Sequence, residues 1–227
     1  MTTRSRIEET ARQHQVCPFE LSLDVAVWAD CIICDYNYAF DPRVFLRRFF
    51  QEEPDLYAFL IDEAHNLVDR AREMFSAEIH KQPFLDLRRP VKNRLPALYK
   101  TLGRINRCFV TYRKLCEASD DVLSDPAPPE PLAPLLEDFI YKAEKWLTAN
   151  EPAPYREALL DLYFTVAGFM KIFDQFDGSY VTCMEKTALD LRLKLFCMDP
   201  SRHLKAALTR CVSAIFFSAT LTPVDYF

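Results

Sequence analysis

The sequence predicts an α/β protein that is interrupted by a mainly helical insert. Short apolar runs alternate with helical segments near both ends of the chain, and long helical periodicity fills its middle. The 227 residues correspond to one or two domains, and 50% of them are hydrophobic, as in an ordinary globular protein. The net charge of −5 excludes a protein that contacts nucleic acid over its whole surface, so any basic site must be local.

Three short apolar runs are predicted to be strands of a parallel sheet that is covered on both faces. The first has its centre at residues 31–34, the second covers residues 57–61, and the third covers residues 212–217. A helix is predicted between the first two strands, over residues 41–50. The polar residues 1–16 have a helical pattern and lack the apolar core of a signal peptide.

Three amphipathic helices are predicted for the middle of the chain, because apolar residues recur there every three or four positions. These stripes lie in residues 95–116, 132–147 and 155–176. Three such helices are enough to enclose a core of their own. Residues 120–134 contain five prolines and are predicted to form an exposed loop. Two more strands are predicted after the helices, at residues 180–184 and 189–197.

The glycines exclude two common phosphate-binding loops. The chain has only Gly103, Gly168 and Gly178. A P-loop needs two glycines five positions apart, and a dinucleotide fingerprint needs three within six positions. Neither loop can therefore form from these residues.

The cysteines and the hydropathy pattern indicate in which cellular compartment the protein is expected. Eight cysteines without a signal peptide predict reduced thiols and a cytoplasmic location. No apolar segment approaches the roughly 18 residues of a membrane helix, so no membrane partner is expected.

The strongest candidate site is a pair of acids that directly follows the apolar run at residues 57–61. Asp62 and Glu63 begin the tetrapeptide DEAH. In phosphoryl-transfer enzymes of the P-loop class, the first acid after such a strand holds Mg²⁺, and a neighbouring acid can take a proton from the attacking water. The alternative interpretation is a helix N-terminus with favourable acids in its first turn.

A second candidate segment follows the apolar run at residues 212–217. Its sequence is SATLTP, and it begins with Ser218 and Thr220 on either side of an alanine. Their hydroxyl groups could form hydrogen bonds with groups beside the acid pair, such as His65. Taken alone, the segment is only a strand followed by a turn.

Together, the DEAH and SATLTP segments resemble motifs II and III of the superfamily-two helicases. The sequences CPFE at residues 17–20 and DYNY at residues 35–38 are similar to those of the XPD/DinG branch, the iron–sulfur DNA helicases. That branch inserts a helical Arch domain between motifs II and III. Residues 195–201 are similar to the return of that family to its motor domain. The resemblance implies a partial RecA-like parallel sheet plus a helical Arch domain.

The resemblance divides the chain into four segments. Residues 1–20 are expected to be a remnant of the iron–sulfur cluster domain, and residues 21–75 part of a RecA-like motor domain with the DEAH box. Residues 76–188 are expected to be the Arch insert, and residues 189–227 the return to the motor domain with motif III.

The resemblance implies an ATP-dependent helicase that acts on single-stranded or forked DNA with Mg²⁺, ATP and a [4Fe–4S] cluster. Asp62 would hold Mg²⁺, and Glu63 would activate water. The residues that would couple hydrolysis to strand movement are His65, Ser218 and Thr220. Cys17 would be the last of four cluster cysteines.

The sequence departs from that family in three respects. No other cysteine precedes Cys17, no P-loop is present, and the second motor domain is absent. The chain is therefore predicted to be a fragment that lacks the cluster, binds Mg-ATP weakly or not at all, and hydrolyses no ATP.

A basic helix face is the candidate DNA-binding surface. Residues 87–116 contain nine basic residues and no acid. At about 100° per residue, four of them fall opposite the apolar stripe: Lys100, Arg104, Arg107 and Lys114. The alternative is a solvated face that pairs with the acidic segment after it. Tyr36 and Tyr38 could stack on a base or pack against the next helix.

Two other classes of function stay open at this point. The helical insert could be a non-catalytic docking module for a protein or for DNA, although the sequence identifies no protein partner. The acid pair could belong to an unrelated hydrolase, but no Ser-His or Cys-His arrangement suggests a nucleophile. Cys31 and Cys34 have zinc-like spacing without a second ligand pair, and we expect them to be buried in a strand.

Overall fold

The computed structural model describes residues 3–50, 57–149, 151–188 and 190–220. Its helices are α1 (Arg4–His14), α2 (Pro18–Ala26), α3 (Tyr36–Phe40), α4 (Arg47–Phe50), α5 (Leu67–Met74), α6 (Lys81–Val91), α7 (Pro96–Glu117), α8 (Ala133–Thr148), α9 (Arg156–Phe173) and α10 (Ser201–Leu208). Its strands are β1 (Ala58–Ile61), β2 (Ala77–His80), β3 (Val122–Asp125), β4 (Tyr180–Lys186), β5 (Leu191–Cys197) and β6 (Ser213–Phe216). The predicted fold class, α/β with a mainly helical insert, is confirmed.

The parallel sheet consists of β1 and β6 among the described residues. One face packs against α3 and α4, because the rings of Phe40 and Phe50 meet the ring of Phe59 edge to face. On the other face Leu60 is 68% exposed and its neighbour Ile215 is 56% exposed. The pairing of two of the predicted strands is confirmed, but the expectation that both faces are covered is wrong for this part of the chain.

The predicted strand at residues 31–34 does not form. Ile33 is 96% exposed, and both Cys31 and Cys34 are exposed as well. A strand needs a neighbour for its main-chain hydrogen bonds, and no described strand runs beside this segment. The expectations of a strand here and of two buried cysteines are therefore wrong. The helix predicted over residues 41–50 is also shorter, since only α4 forms there.

The antiparallel sheet has the order β2-β5-β4-β3. Leu191, Leu193 and Leu195 alternate on its buried face, as the two-residue period of a strand requires. Tyr180 lies opposite Cys197 and Lys186 opposite Leu191, so the β4–β5 hairpin is continuous across the predicted domain boundary between residues 188 and 189.

Helices α7 and α9 pack against the buried face of the antiparallel sheet, and α8 packs on both of them, as their apolar stripes predict. The ring of Phe84 on α6 lies 5.7 Å from Phe109 on α7 and 6.0 Å from Phe139 on α8. The buried stripe of α7 is Leu98, Leu102, Ile105, Phe109, Tyr112 and Cys116. The predicted helices of the insert are confirmed, and their stripes form one continuous core with the sheet.

Arg43 ties the segment between α3 and α4 to the start of the insert. Its guanidinium makes a two-pronged ion pair with the buried carboxylate of Asp41 and donates to the carbonyl oxygens of Met74 and Ser76. The hydroxyl of Ser76 accepts a hydrogen bond from the main-chain N–H of Cys197 at 3.0 Å. These contacts fix the ends of β2 and β5 against the N-terminal part of the chain.

The helices also bear on the question of a membrane span. The longest of them, α7, has 22 residues and carries a row of basic side chains. Within the described ranges, no helix combines the length and the apolar character that crossing a membrane requires. The cytoplasmic location stays a prediction.

His203 on α10 packs at the junction between the antiparallel sheet and α5. Its ring stacks on Phe75 with the centroids 4.6 Å apart, and its Nε2 lies 3.0 Å from the hydroxyl of Tyr180. Burial lowers the pKa of His203 and outweighs the neighbouring carboxylates, so the imidazole is favoured in its neutral form. The charged groups that act on it are Asp177, Arg202 and Asp199.

We expect the protein to lose stability through His203 as the pH falls below about 6.5, the ordinary pKa of an unfolded histidine. In this range the unfolded state takes up a proton before the folded state does. The free energy of unfolding, measured by urea denaturation between pH 7.5 and pH 5, should decrease more for the parent protein than for His203→Gln. Glutamine keeps a neutral acceptor for Tyr180 but cannot titrate. Two parallel pH profiles would contradict this role of His203.

Candidate functional site

The candidate site lies where β1 and β6 end. The two strands are parallel, with Leu60 opposite Ile215 and Ile61 opposite Phe216, so their carboxyl ends reach the same edge of the sheet. Beyond the strands, the N–H of Phe217 donates to the carbonyl of Ile61 at 3.0 Å, and the N–H of Ala64 donates to the carbonyl of Phe217 at 3.1 Å. The segments after the two strands are therefore bonded to each other directly.

The acid pair turns the chain from strand to helix. Asp62 is exposed, and its Oδ1 accepts the main-chain N–H of Glu63 at 2.7 Å. Glu63 has a left-handed backbone with φ 49°, and a 3₁₀ turn at Ala64–Asn66 follows it before α5 begins. A left-handed conformation costs a residue with a side chain roughly 1–2 kcal/mol, so the surrounding contacts must hold it in place.

The two predicted segments meet around His65. Its Nδ1 lies 2.7 Å from the hydroxyl oxygen of Ser218, 3.2 Å from Oε2 of Glu63 and 3.3 Å from the hydroxyl oxygen of Thr220. Three oxygens around one nitrogen favour the tautomer with the proton on Nδ1. The hydroxyl of Ser218 donates to Oε2 of Glu63 at 3.2 Å and accepts the N–H of Thr220, also at 3.2 Å.

These contacts connect the acid pair to the end of β6 through side chains. The sequence predicted that Ser218 and Thr220 would lie near His65, and the distances confirm this proximity. The part of the SATLTP segment after Thr220 lies outside the described residues.

Tyr36 contacts the acid pair from α3. Its hydroxyl donates a short hydrogen bond to the main-chain carbonyl of Asp62. Partial burial, followed by the charges of Asp62 and Glu63, raises the pKa of Tyr36, so the phenol remains a neutral donor. No motif or spacing in the sequence indicated this contact. For Tyr36 the sequence left base stacking and packing against the next helix open as alternatives.

The other candidate tyrosine packs within the protein. Tyr38 is partly buried, and its ring stacks against Phe19 of α2 with 6.2 Å between the centroids. Because α2 precedes Tyr38 in the chain, this contact is not the packing against the next helix that the sequence left open as the alternative to base stacking. A role for Tyr38 in DNA binding stays a prediction.

The basic residues of α7 form an exposed row opposite its buried stripe, as predicted. Its members are Lys100, Arg104, Arg107 and Lys114, and all four are exposed. We call this surface the basic ridge. At one end of it, Asp138 of α8 accepts hydrogen bonds from Lys142 and from the buried Thr101, each at 2.6 Å.

Asp138 places one negative charge beside the basic ridge. Burial acts to raise the pKa of Asp138, but its bonds with Lys142 and Thr101 and the charges of Lys142 and Arg104 together lower it, so the carboxylate stays ionised. Arg104 is therefore partly neutralised by a neighbour on α8.

Cys17 lies exposed at the position that precedes α2. Among the residues that the structure describes, no group of three or more histidine, cysteine or acidic side chains is arranged to hold a metal ion. An iron–sulfur cluster needs four thiolates, and Cys17 is here without such companions. The residues of this chain alone do not fit a [4Fe–4S] cluster.

Comparisons with known proteins agree with the resemblance on the N-terminal part of the chain. Residues 1–84 match the DEAD_2 family, an XPD/DinG-type helicase domain. A 65-residue segment is 34% identical to the Fanconi anemia group J protein homolog of Gallus gallus. This segment covers 29% of the chain and 5% of that relative, so the chain spans a small part of its length. The two matches confirm the resemblance to the superfamily-two iron–sulfur helicases.

The left-handed backbone of Glu63 can be tested by substitution. We expect the free energy of unfolding of Glu63→Gly to exceed that of Glu63→Val by about 1–2 kcal/mol, because glycine adopts positive φ freely and a β-branched residue does not. Both variants lose the same carboxylate contacts with Ser218 and His65, so their difference reports the backbone. Equal stabilities in urea denaturation would show that residue 63 is not held at positive φ.

Proposed function

We propose that this helicase-family chain is part of an ATP-dependent DNA helicase and supplies the metal-binding and water-activating side of its hydrolytic site. The observation that carries the proposal is the contact between the DEAH segment and the segment after β6. Glu63, His65, Ser218 and Thr220 share one network of hydrogen bonds at the carboxyl end of a parallel sheet. Such sheet edges are where α/β proteins bind their ligands.

Asp62 and Glu63 have the chemistry that this role requires. One carboxylate oxygen of Asp62 accepts the N–H of Glu63, and the exposed side chain leaves the other oxygen free to bind Mg²⁺. Mg²⁺ is commonly held by one or two carboxylates together with substrate phosphates, and when bound it would neutralise charge on those phosphates. The carboxylate of Glu63 accepts a hydrogen bond from Ser218 and could take a proton from a water molecule.

His65 and Ser218 are placed to link the acid pair to movement of β6. The side chain of Glu63 is bonded to Ser218, which follows β6, whereas its main chain follows β1. A shift of one strand end relative to the other would change the partner of Glu63 and so its readiness to accept a proton. Coupling of hydrolysis to strand movement by His65, Ser218 and Thr220 is part of the proposal.

The basic ridge is the proposed contact with single-stranded or forked DNA. Its four exposed cations lie on one face of a rigid helix of 22 residues, which spans about 33 Å at 1.5 Å per residue. Phosphates bind such rows mainly through charge, with release of counterions. Asp138 lies beside Arg104 and partly neutralises its charge. We therefore expect Arg107 and Lys114 to contribute more to DNA binding than Arg104 does.

We expect the chain alone to release no phosphate from Mg-ATP above the level of Glu63→Gln, with or without single-stranded DNA. The reason is that its three glycines cannot form a loop that cradles the phosphates. A colorimetric phosphate assay measures this directly. Steady turnover that disappears in Glu63→Gln would show that these residues hold the nucleotide unaided, contrary to the prediction.

We expect the chain to bind a fluorescent single-stranded oligonucleotide with an affinity that falls linearly with the logarithm of the salt concentration. Reversal of two ridge charges in Arg104→Glu/Arg107→Glu should weaken binding by about tenfold or more and flatten the salt slope. The matched control is Lys171→Glu/Lys205→Glu, which changes the net charge equally at exposed positions on α9 and α10. Equal losses in both double variants would exclude a specific role for the ridge.

A further inference from the structure

A cleft separates α6 from α9 on a part of the surface that the proposed function does not use. It has a volume of about 600 Å³. Residues from Pro83 to Pro90 on α6 and from Ala158 to Thr165 on α9 line it at spacings of three and four, so the cleft runs along both helices. Eight residues of helix cover about 12 Å. A cleft of this length can hold one long side chain together with two or three residues of the peptide that carries it.

The walls of the cleft are mostly apolar, and each of its two helices contributes one carboxylate to the lining. Leu87 and Leu162 form part of the floor. Asp86 lies on α6, where one of its oxygens accepts the amide of Gln82 at 2.8 Å. Asp161 lies on α9, and its carboxylate has no hydrogen-bond or ion-pair partner in the described part of the chain. Both acids are exposed and available to a ligand.

A main-chain acceptor adds to these carboxylates. Pro90 lies inside α6 and lines the same cleft. Because proline has no N–H, the carbonyl of Asp86 four residues earlier lacks its normal helical donor. Asp86, which lines the cleft, therefore has a carbonyl without its helical donor in addition to its carboxylate.

The charges around the cleft favour a cation. Among the residues that the structure describes, no lysine or arginine lines it. His80, at the end of β2, is the basic group in the lining, and it lies between Asp190 at 3.2 Å and Glu78 at 3.3 Å. A phosphate-bearing ligand such as DNA would meet carboxylates without a compensating cation.

We propose that this cleft binds an arginine side chain that a protein partner presents. A guanidinium carries five donors in a plane, which suits acceptors on two opposite walls better than the point charge of lysine. Its flat face can stack on an aromatic ring, and Tyr155 supplies such a ring at the edge of the cleft. The apolar walls accommodate the methylene groups of the arginine.

The protein contains its own reporter for this binding. Trp146 packs against Tyr155 with 5.3 Å between the ring centroids, so a ligand at Tyr155 should change the fluorescence of Trp146. The other tryptophan, Trp28, is 90% exposed and can be replaced by phenylalanine to leave a single signal. The probe is N-acetyl-arginine amide. The citrulline analogue, which has nearly the same shape without the charge, is its control.

In the Trp28→Phe protein we expect a saturable fluorescence change with the arginine probe and none with the citrulline analogue. Asp86→Asn/Asp161→Asn should weaken binding about tenfold or more, because two charge-assisted hydrogen bonds are lost. The control Glu137→Gln/Asp174→Asn removes two exposed carboxylates that do not line the cleft and should bind as the parent does. Circular dichroism checks that each variant is folded.

Three results would overturn the proposal. They are no saturable change with the arginine probe, equal affinity for the citrulline analogue, and equal losses in the two double variants. Sedimentation of the protein tests whether a second copy of this chain occupies the cleft. Self-association that disappears in Asp86→Asn/Asp161→Asn would assign the cleft to a second copy of this chain in place of a different protein.

Discussion

Two main-chain hydrogen bonds beyond the strand ends, Phe217 to Ile61 and Ala64 to Phe217, hold the candidate site together. They bring together His65 and Ser218, which are 153 positions apart in the sequence. Closing so long a connection is possible because the ends of the insert meet. Strand β2, at the start of the insert, pairs with β5, which follows the end of the insert, with Ala77 opposite Leu195. The pairing of β2 with β5 therefore offsets the entropic cost of closing this long loop.

The helices of the insert could be predicted because a stripe of apolar residues every three to four positions has few other structural solutions. The strands were less predictable. Residues 31–34 and β1 are both short apolar runs, and only the presence of a neighbouring strand distinguishes them. Two short strands had no clear signal in the sequence. In β2, Glu78 and His80 alternate with apolar residues, and β3 lies in a proline-rich segment that predicted only a loop.

The residues of the candidate site were predictable from their types, but their geometry was not. Two adjacent carboxylates after an apolar strand indicated Asp62 and Glu63, and hydroxyl groups after another strand indicated Ser218 and Thr220. The left-handed backbone of Glu63 depends on contacts from β6 and has no local signal such as glycine. The bond from Tyr36 to Asp62 joins residues that are 26 positions apart, and the bonds of Asp138 depend on how α7 packs on α8. Such effects come from tertiary packing, which one sequence does not reveal.

The pairing of β2 with β5 also has a mechanical consequence. The helices α6 to α9, here called the lobe, pack on the antiparallel sheet. Its strands β2 and β5, here called the stem, lead to the rest of the chain, and Arg43 and Ser76 contact their ends. Hydrogen-bonded neighbours resist sliding past each other, so a torque on the lobe would turn both strands of the stem together. α5 and α10 continue from the two sides of this stem towards Glu63 and Ser218. A force applied to the lobe would therefore act at the same time on Glu63 and on Ser218, the two sides of the hydrogen-bond network at the candidate site.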